Sequence, residues 1–156
     1  MSKGWKALLY TIAFSAILAR DAKASETGIS RDKLPEAVRK TADEQSKGAT
    51  VRGYNRESEN GQIEYEVEMT VSGHSKNVSI ANDGRVLEVE EEVALDALSP
   101  QVRKGLEAKA AGAKIKNVES LTKNGKIVAY EAHLTKLGKH SEIQVGPEGN
   151  PLDRAE

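Results

Sequence analysis

Two stretches of the chain alternate between apolar and polar residues, with Ala129 as the one apolar residue at a polar position of the second stretch. This period of two is typical of a β-strand with one face buried and one face wet. The first stretch spans residues 62–71 and the second spans residues 128–135. Their apolar positions are Ile63, Tyr65, Val67, Met69 and Val71 in the first, and Val128, Tyr130, Ala132 and Leu134 in the second. The pattern predicts a half-buried strand at each place.

Two other stretches repeat apolar residues every four positions, which places them on one face of a helix. One begins at Leu34 and continues through Val38 and Ala42, with Pro35 in the first turn. The other begins at Leu98 and continues through Val102, Leu106 and Ala110. Ser99 followed by Pro100 is a typical N-cap and first position of a helix. We therefore predict one amphipathic helix before each set of strands.

These elements recur in the same order, which indicates an internal duplication. The two helices match each other, and so do the strands that contain Tyr65 and Tyr130. Between helix and strand, each copy has an Asn-Gly pair, Asn60-Gly61 and Asn124-Gly125, which is typical of a tight hairpin turn. We predict an α+β fold in which two tandem α-β-β-β-(β) repeats form an antiparallel sheet with both helices on one face. The predicted boundaries are a signal peptide at 1–24, a first repeat at 25–93 and a second repeat at 94–156.

The N-terminus has the three parts of a secretory signal peptide. Lys3 and Lys6 precede an apolar run over residues 7–19, and Ala22-Lys23-Ala24 offers a cleavage site after Ala24. The apolar run is too short for a hydrocarbon core of about 30 Å, although an uncleaved membrane anchor is the alternative. We expect a periplasmic or secreted protein with no membrane attachment after cleavage.

The composition argues against several classes of function. Four of the 23 basic residues but only one of the 24 acidic residues precede the cleavage site, so the exported chain is mildly acidic. This charge argues against a nucleic-acid partner, which needs a concentrated basic surface. The chain has no cysteine, so disulfides, thiol catalysis and thiolate metal sites are excluded.

The sequence contains none of the usual catalytic or phosphate-binding motifs, and we expect a protein that is not an enzyme and has no cofactor. His74, His133 and His140 are its histidines, and no spacing among them resembles a ligand pair on one helix or hairpin face. We expect surface histidines and no metal site, with a weak site shared by His133 and His140 as the alternative.

Glutamates occupy the outward positions of the predicted strands, and these are the candidate site residues. One interpretation is a solvated face that keeps the protein soluble and its edges unpaired. The other is a surface that docks a partner protein or weakly binds divalent cations. The candidate partner-binding residues are Glu64, Glu66, Glu68, Glu88, Glu90, Glu131 and His133.

The helix Leu34-Pro35-Glu36-Ala37-Val38, the strand around Tyr65 and the ending Asp83-Gly84-Arg85-Val86-Leu87 resemble the PepSY-like domain. The tandem arrangement is similar in layout to the β-lactamase inhibitory proteins. The resemblance implies an exported, non-catalytic module that docks on or restrains another envelope protein, such as a peptidase, through its exposed sheet face. The alternative is a sensor of a small ligand or divalent cation on the acidic face of the first repeat.

Overall fold

The computed structural model describes residues 25–59 and 62–156. These residues form one antiparallel sheet of eight strands, in which every strand pairs with its neighbours in chain order. The strands are β1 Ser25–Ile29, β2 Thr50–Glu59, β3 Gln62–Val71, β4 His74–Ala81, β5 Val86–Val93, β6 Lys114–Lys123, β7 Lys126–Lys136 and β8 Lys139–Val145. Helix α1 spans Glu36–Gln45 and helix α2 spans Pro100–Ala110.

The predicted fold class, α+β with two tandem α-β-β-β-(β) repeats and both helices on one face, is wrong. The described part of the chain is mostly β, with one continuous sheet and only two short helices. Pairing between β5 and β6, from Val89↔Thr122 to Val93↔Val118, joins the two halves of the sheet without a break. The boundary between 25–93 and 94–156 stays a prediction, and the predicted signal peptide lies outside the described residues.

The apolar core consists of two clusters. In the first, Leu34, Val38 and Ala42 from α1 and the turn before it pack on β3 and β4. In the second, α2 packs on β6, β7 and β8 through Val102, Leu106 and Ala110. We call the side of each strand that faces its own cluster the core side of that strand. The predicted alternation is confirmed in the middle of β3, where Tyr65, Val67 and Met69 are buried and the glutamates between them are not. Ile63 and Val71, at the two ends of the strand, are exposed.

Two-residue turns fix the register of three hairpins. Ser72-Gly73, Asn124-Gly125 and Leu137-Gly138 have positive φ at both residues, which matches the right-handed twist of the strands that they join. The Asn124-Gly125 turn was predicted from sequence and is confirmed, whereas Asn60-Gly61 lies outside the described residues.

Helix α2 begins as its sequence predicts. The side chain of Ser99 accepts a hydrogen bond of 3.2 Å from the backbone N–H of Val102, and Pro100 is the first helical residue. Among the described residues, no helix has the length and apolar character needed to span a membrane.

Candidate functional site: an acidic sheet face

The side of the sheet opposite the core side gathers glutamates from neighbouring strands. Because side chains alternate along a strand, Glu64, Glu66 and Glu68 lie opposite Tyr65, Val67 and Met69. Strand pairing then continues this surface across β4, β5, β6 and β7. We call it the acidic face. Its carboxylates on β2, β3, β5, β6 and β7 are Glu57, Glu64, Glu66, Glu68, Glu88, Glu90, Glu92, Glu119 and Glu131, and Glu142 on β8 lies on the same side because it pairs with His133.

All seven predicted site residues lie on the acidic face, but they are half-buried and not fully solvated. Several have fixed partners. Glu68 accepts a hydrogen bond of 3.0 Å from the side-chain amide of Asn55. The carboxylate of Glu88 is 3.1 Å from Nζ of Lys123. Such contacts hold the carboxylates in defined positions, which a merely solubilising surface does not need.

Glu90 lies at the centre of this crowded surface. Its burial raises the pKa of its carboxyl to about 8, and the nearby charges of Glu88, Glu119, Glu66 and Glu131 act in the same direction. A carboxyl in this environment carries a proton at neutral pH because ionisation would add one more desolvated charge to its neighbours.

The sequence prediction missed two acidic neighbours of His133. Its Nε2 is 3.1 Å from Oε2 of Glu119 and 3.6 Å from Oε1 of Glu131, and its Nδ1 is 3.3 Å from Oε1 of Glu142. Glu119 and Glu142 were not predicted because they come from β6 and β8, and only strand register brings them beside β7. A Glu-x-His spacing on one strand, combined with the register set by the Asn124-Gly125 turn, is the sequence signal that could have found this cluster.

The expectation of no metal site stays a prediction, but one grouping of possible ligand side chains bears on it. Glu119, Glu131 and His133 each offer one ligand atom, and these three atoms lie within 4.8 Å of one another. Within the described ranges, this grouping lies on β6 and β7 and not on the strands of the predicted first repeat. His140 does not belong to it, and its Nδ1 instead lies 3.4 Å from the hydroxyl of Thr135.

Glu131 is oriented by Gln144, whose side-chain amide donates a hydrogen bond of 2.7 Å to Oε2 of Glu131. Burial is the main reason why the pKa of Glu131 is raised, while the bond from Gln144 and the nearby imidazole of His133 act in the opposite direction. Glu131 is thus held in one orientation while its charge is partly desolvated.

The C-terminal residues border the same face. The backbone N–H of Glu156 donates a hydrogen bond of 2.8 Å to Oε1 of Gln144. The side chain of Glu156 also lies 3.6 Å from Nζ of Lys123. Ala155 and Glu156 line a groove of 470 Å³ together with Glu64 and Glu88, so one edge of the acidic face is a concave surface.

Comparisons with known proteins show the fold. A DUF2874 family protein from Bacteroides ovatus ATCC 8483 is similar with a TM-score of 0.60 and 20% identity, over 78% of this chain and 86% of that chain. A protein inferred to be periplasmic, from Bacteroides eggerthii DSM 20697, has a TM-score of 0.59 and 16% identity, over 75% and 84%. A BLIP-like protein from Bacteroides fragilis NCTC 9343 has a TM-score of 0.54 and 18% identity, over 74% and 81%.

No family model matches this chain, and no curated protein matches it. The predicted PepSY-like family therefore stays a prediction. The comparisons do show that the chain shares its fold with a DUF2874 family protein and with a BLIP-like protein.

Proposed function

We propose that this chain is an exported, non-catalytic binding module that docks on another envelope protein through the acidic face. The observation that carries the proposal is the continuous row of oriented carboxylates across β3, β5, β6 and β7. A surface of this charge selects a partner with a complementary basic patch.

The fixed positions of these carboxylates favour a docking surface over a surface that only keeps the protein soluble. Asn55, Lys123 and Gln144 each hold a carboxylate of the acidic face in place. A pre-ordered surface loses less side-chain entropy when a partner binds than a flexible one does. Partly buried charges also discriminate strongly among partners, because an unmatched partner leaves them desolvated and unpaired.

Export rests on the sequence of residues 1–24 and is supported by the shared fold of a protein inferred to be periplasmic. The BLIP-like neighbour supports a role in restraining another protein. The partner that fits this account is an envelope protein, such as a peptidase, with a lysine- or arginine-rich patch beside its functional region.

The test compares two variants that change the same number of charges. The first replaces Glu64, Glu66 and Glu68 by Gln on the acidic face, and the second replaces Glu36, Glu44 and Glu107 by Gln at exposed helical positions. Each immobilised protein is used to recover partners from an envelope extract, and the association rate of the recovered protein is then measured at low and high salt.

We expect the acidic-face variant to bind several-fold more slowly at low salt than the wild type. The difference should shrink near 0.5 M salt, where the screening length is roughly 4 Å. The helix variant should bind like the wild type. If both variants bind alike, or if no partner is recovered at low salt, the docking proposal is wrong.

A further inference from the structure

Glu119, Glu131 and His133 have the spacing of ligands around one metal ion. Glu119 and Glu131 are direct partners across β6 and β7, and His133 lies two residues beyond Glu131, on the same side of the sheet. The Nε2 of His133 is 3.1 Å and 3.6 Å from the two carboxylate oxygens. Ligand atoms on a tetrahedral zinc ion, with bonds of about 2.1 Å, lie roughly 3.4 Å apart, so the observed spacing suits an ion between them.

Two further side chains orient these ligands. Oε1 of Glu142 lies 3.3 Å from Nδ1 of His133. A carboxylate at this position can accept a hydrogen bond from Nδ1–H, and the Nε2 lone pair is then available to a cation held between Glu119 and Glu131. A metal-binding histidine commonly has its second nitrogen held in this way. Gln144 holds Oε2 of Glu131, which leaves Oε1 to face the imidazole.

Burial of the two carboxylates favours the binding of a cation between them. The side chains of Glu119 and Glu131 are only 10% and 14% exposed, so their mutual repulsion is weakly screened. The cluster is nevertheless accessible. His133 and Glu142 line a groove of 500 Å³ with Lys116 and Ser141, and Glu131 lines a second groove of 460 Å³.

We propose that Glu119, Glu131 and His133 form a binding site for one divalent transition-metal cation of the zinc class, oriented by Glu142 and Gln144. An imidazole nitrogen with two carboxylates suits zinc and its neighbours, whereas calcium and magnesium prefer all-oxygen sites. Three protein ligands leave one coordination position open toward the grooves. The site goes beyond the docking proposal and does not depend on it.

Calorimetric titration of the full-length protein with Zn²⁺ tests the site, with Ca²⁺ titrated in parallel. We expect one Zn²⁺ per chain and Ca²⁺ binding that is at least about tenfold weaker. His133→Asn should remove Zn²⁺ binding, and Glu142→Gln should weaken it about 10- to 100-fold as an orienting residue. His74→Asn is the matched control, since His74 lies on β4 away from this groove, and it should bind Zn²⁺ like the wild type.

A second measurement separates a binding defect from a folding defect. Zn²⁺ should raise the thermal unfolding midpoint of the wild type and of His74→Asn but not that of His133→Asn. The unfolding midpoint of each variant without metal shows whether it is folded. Absence of Zn²⁺ binding to the wild type, or equal binding by folded His133→Asn, would mean that the cluster is only an ion-pair network around the imidazole and would overturn the proposal.

Discussion

At the scale of single residues, burial and crowding on the acidic face disfavour the ionisation of its carboxylates. Glu90 is the clearest case, because it is partly buried and surrounded by other glutamates. Its position beside Leu121 adds to this effect. Leu121 and its cross-strand neighbour Ala129 belong to neither core cluster and are 1% and 0% exposed, so the acidic face encloses a small apolar patch.

The raised pKa of Glu90, about 8 in the folded protein, predicts a stability that depends on pH. The folded state holds this proton more tightly than the unfolded chain, so the stabilisation is complete below the ordinary pKa and is lost as the pH rises through about 8. Glu90→Gln should match the wild type at about pH 4, below the ordinary pKa of the carboxyl. At pH above 8 it should be more stable by roughly 2 kcal/mol, a figure reduced for partial exposure. Urea unfolding of both proteins across this range measures the difference, and parallel curves would contradict the assignment.

The turn residue Leu137 gives a second prediction. It has φ of 51° between β7 and β8 and is 97% exposed, although a bulky side chain is disfavoured in this backbone region. Leu137→Asn should raise the free energy of unfolding by about 0.5 to 1 kcal/mol because asparagine tolerates positive φ. Leu137→Val is the control and should be destabilising, since β-branched residues adopt this conformation poorly. A lower free energy of unfolding for Leu137→Asn would contradict this prediction and would mean that the leucine side chain stabilises the protein by contacts outside the turn.

At the scale of elements, each helix packs closely against a turn that carries a glycine. The hydroxyl of Thr41 in α1 donates a hydrogen bond of 2.6 Å to the carbonyl of Gly84. In α2, a Cβ added at Gly105 would lie 2.2 Å from the carbonyl oxygen of Gly149. This contact requires glycine in the middle of a helix, against its poor helix propensity.

Gly105→Ala should therefore destabilise the protein. At an exposed helical position the same change would stabilise by up to about 1 kcal/mol, but here overpacking against Gly149 should lower the free energy of unfolding by about 2 kcal/mol. Lys104→Ala, at the exposed neighbouring position, is the control and should stay within about 0.5 kcal/mol of the wild type. A Gly105→Ala protein as stable as the wild type would mean that α2 can move away from the turn at little cost.

An element could be predicted from the sequence where it is determined by residues that are neighbours along the chain. The alternation in β3 and the cap of α2 are local and were predicted correctly. β1 has no alternating pattern, and it is a strand because its backbone pairs with β2. The contacts of His133 with Glu119 and Glu142 depend on register across three strands, so inspection of spacing along the chain did not find them. The continuous sheet also depends on β5 pairing with β6, which no local pattern specifies.

At the scale of the whole molecule, the core side and the acidic face have different roles. The apolar clusters hold the sheet together, while the opposite face gathers partly desolvated carboxylates together with the proposed metal site. In the proposed function, this face, and not the surface of the helices, contacts a partner protein in the cell.

Photo-crosslinking in living cells shows which face of the protein contacts a partner. A photoreactive phenylalanine analogue is placed either at Ser79, which lies on the acidic face between Glu66 and Glu88, or at Glu107, an exposed position on α2. We predict a discrete crosslinked product with another envelope protein from position 79 and none from position 107. The absence of a product at position 79, or the same product from both positions, would contradict docking through the acidic face.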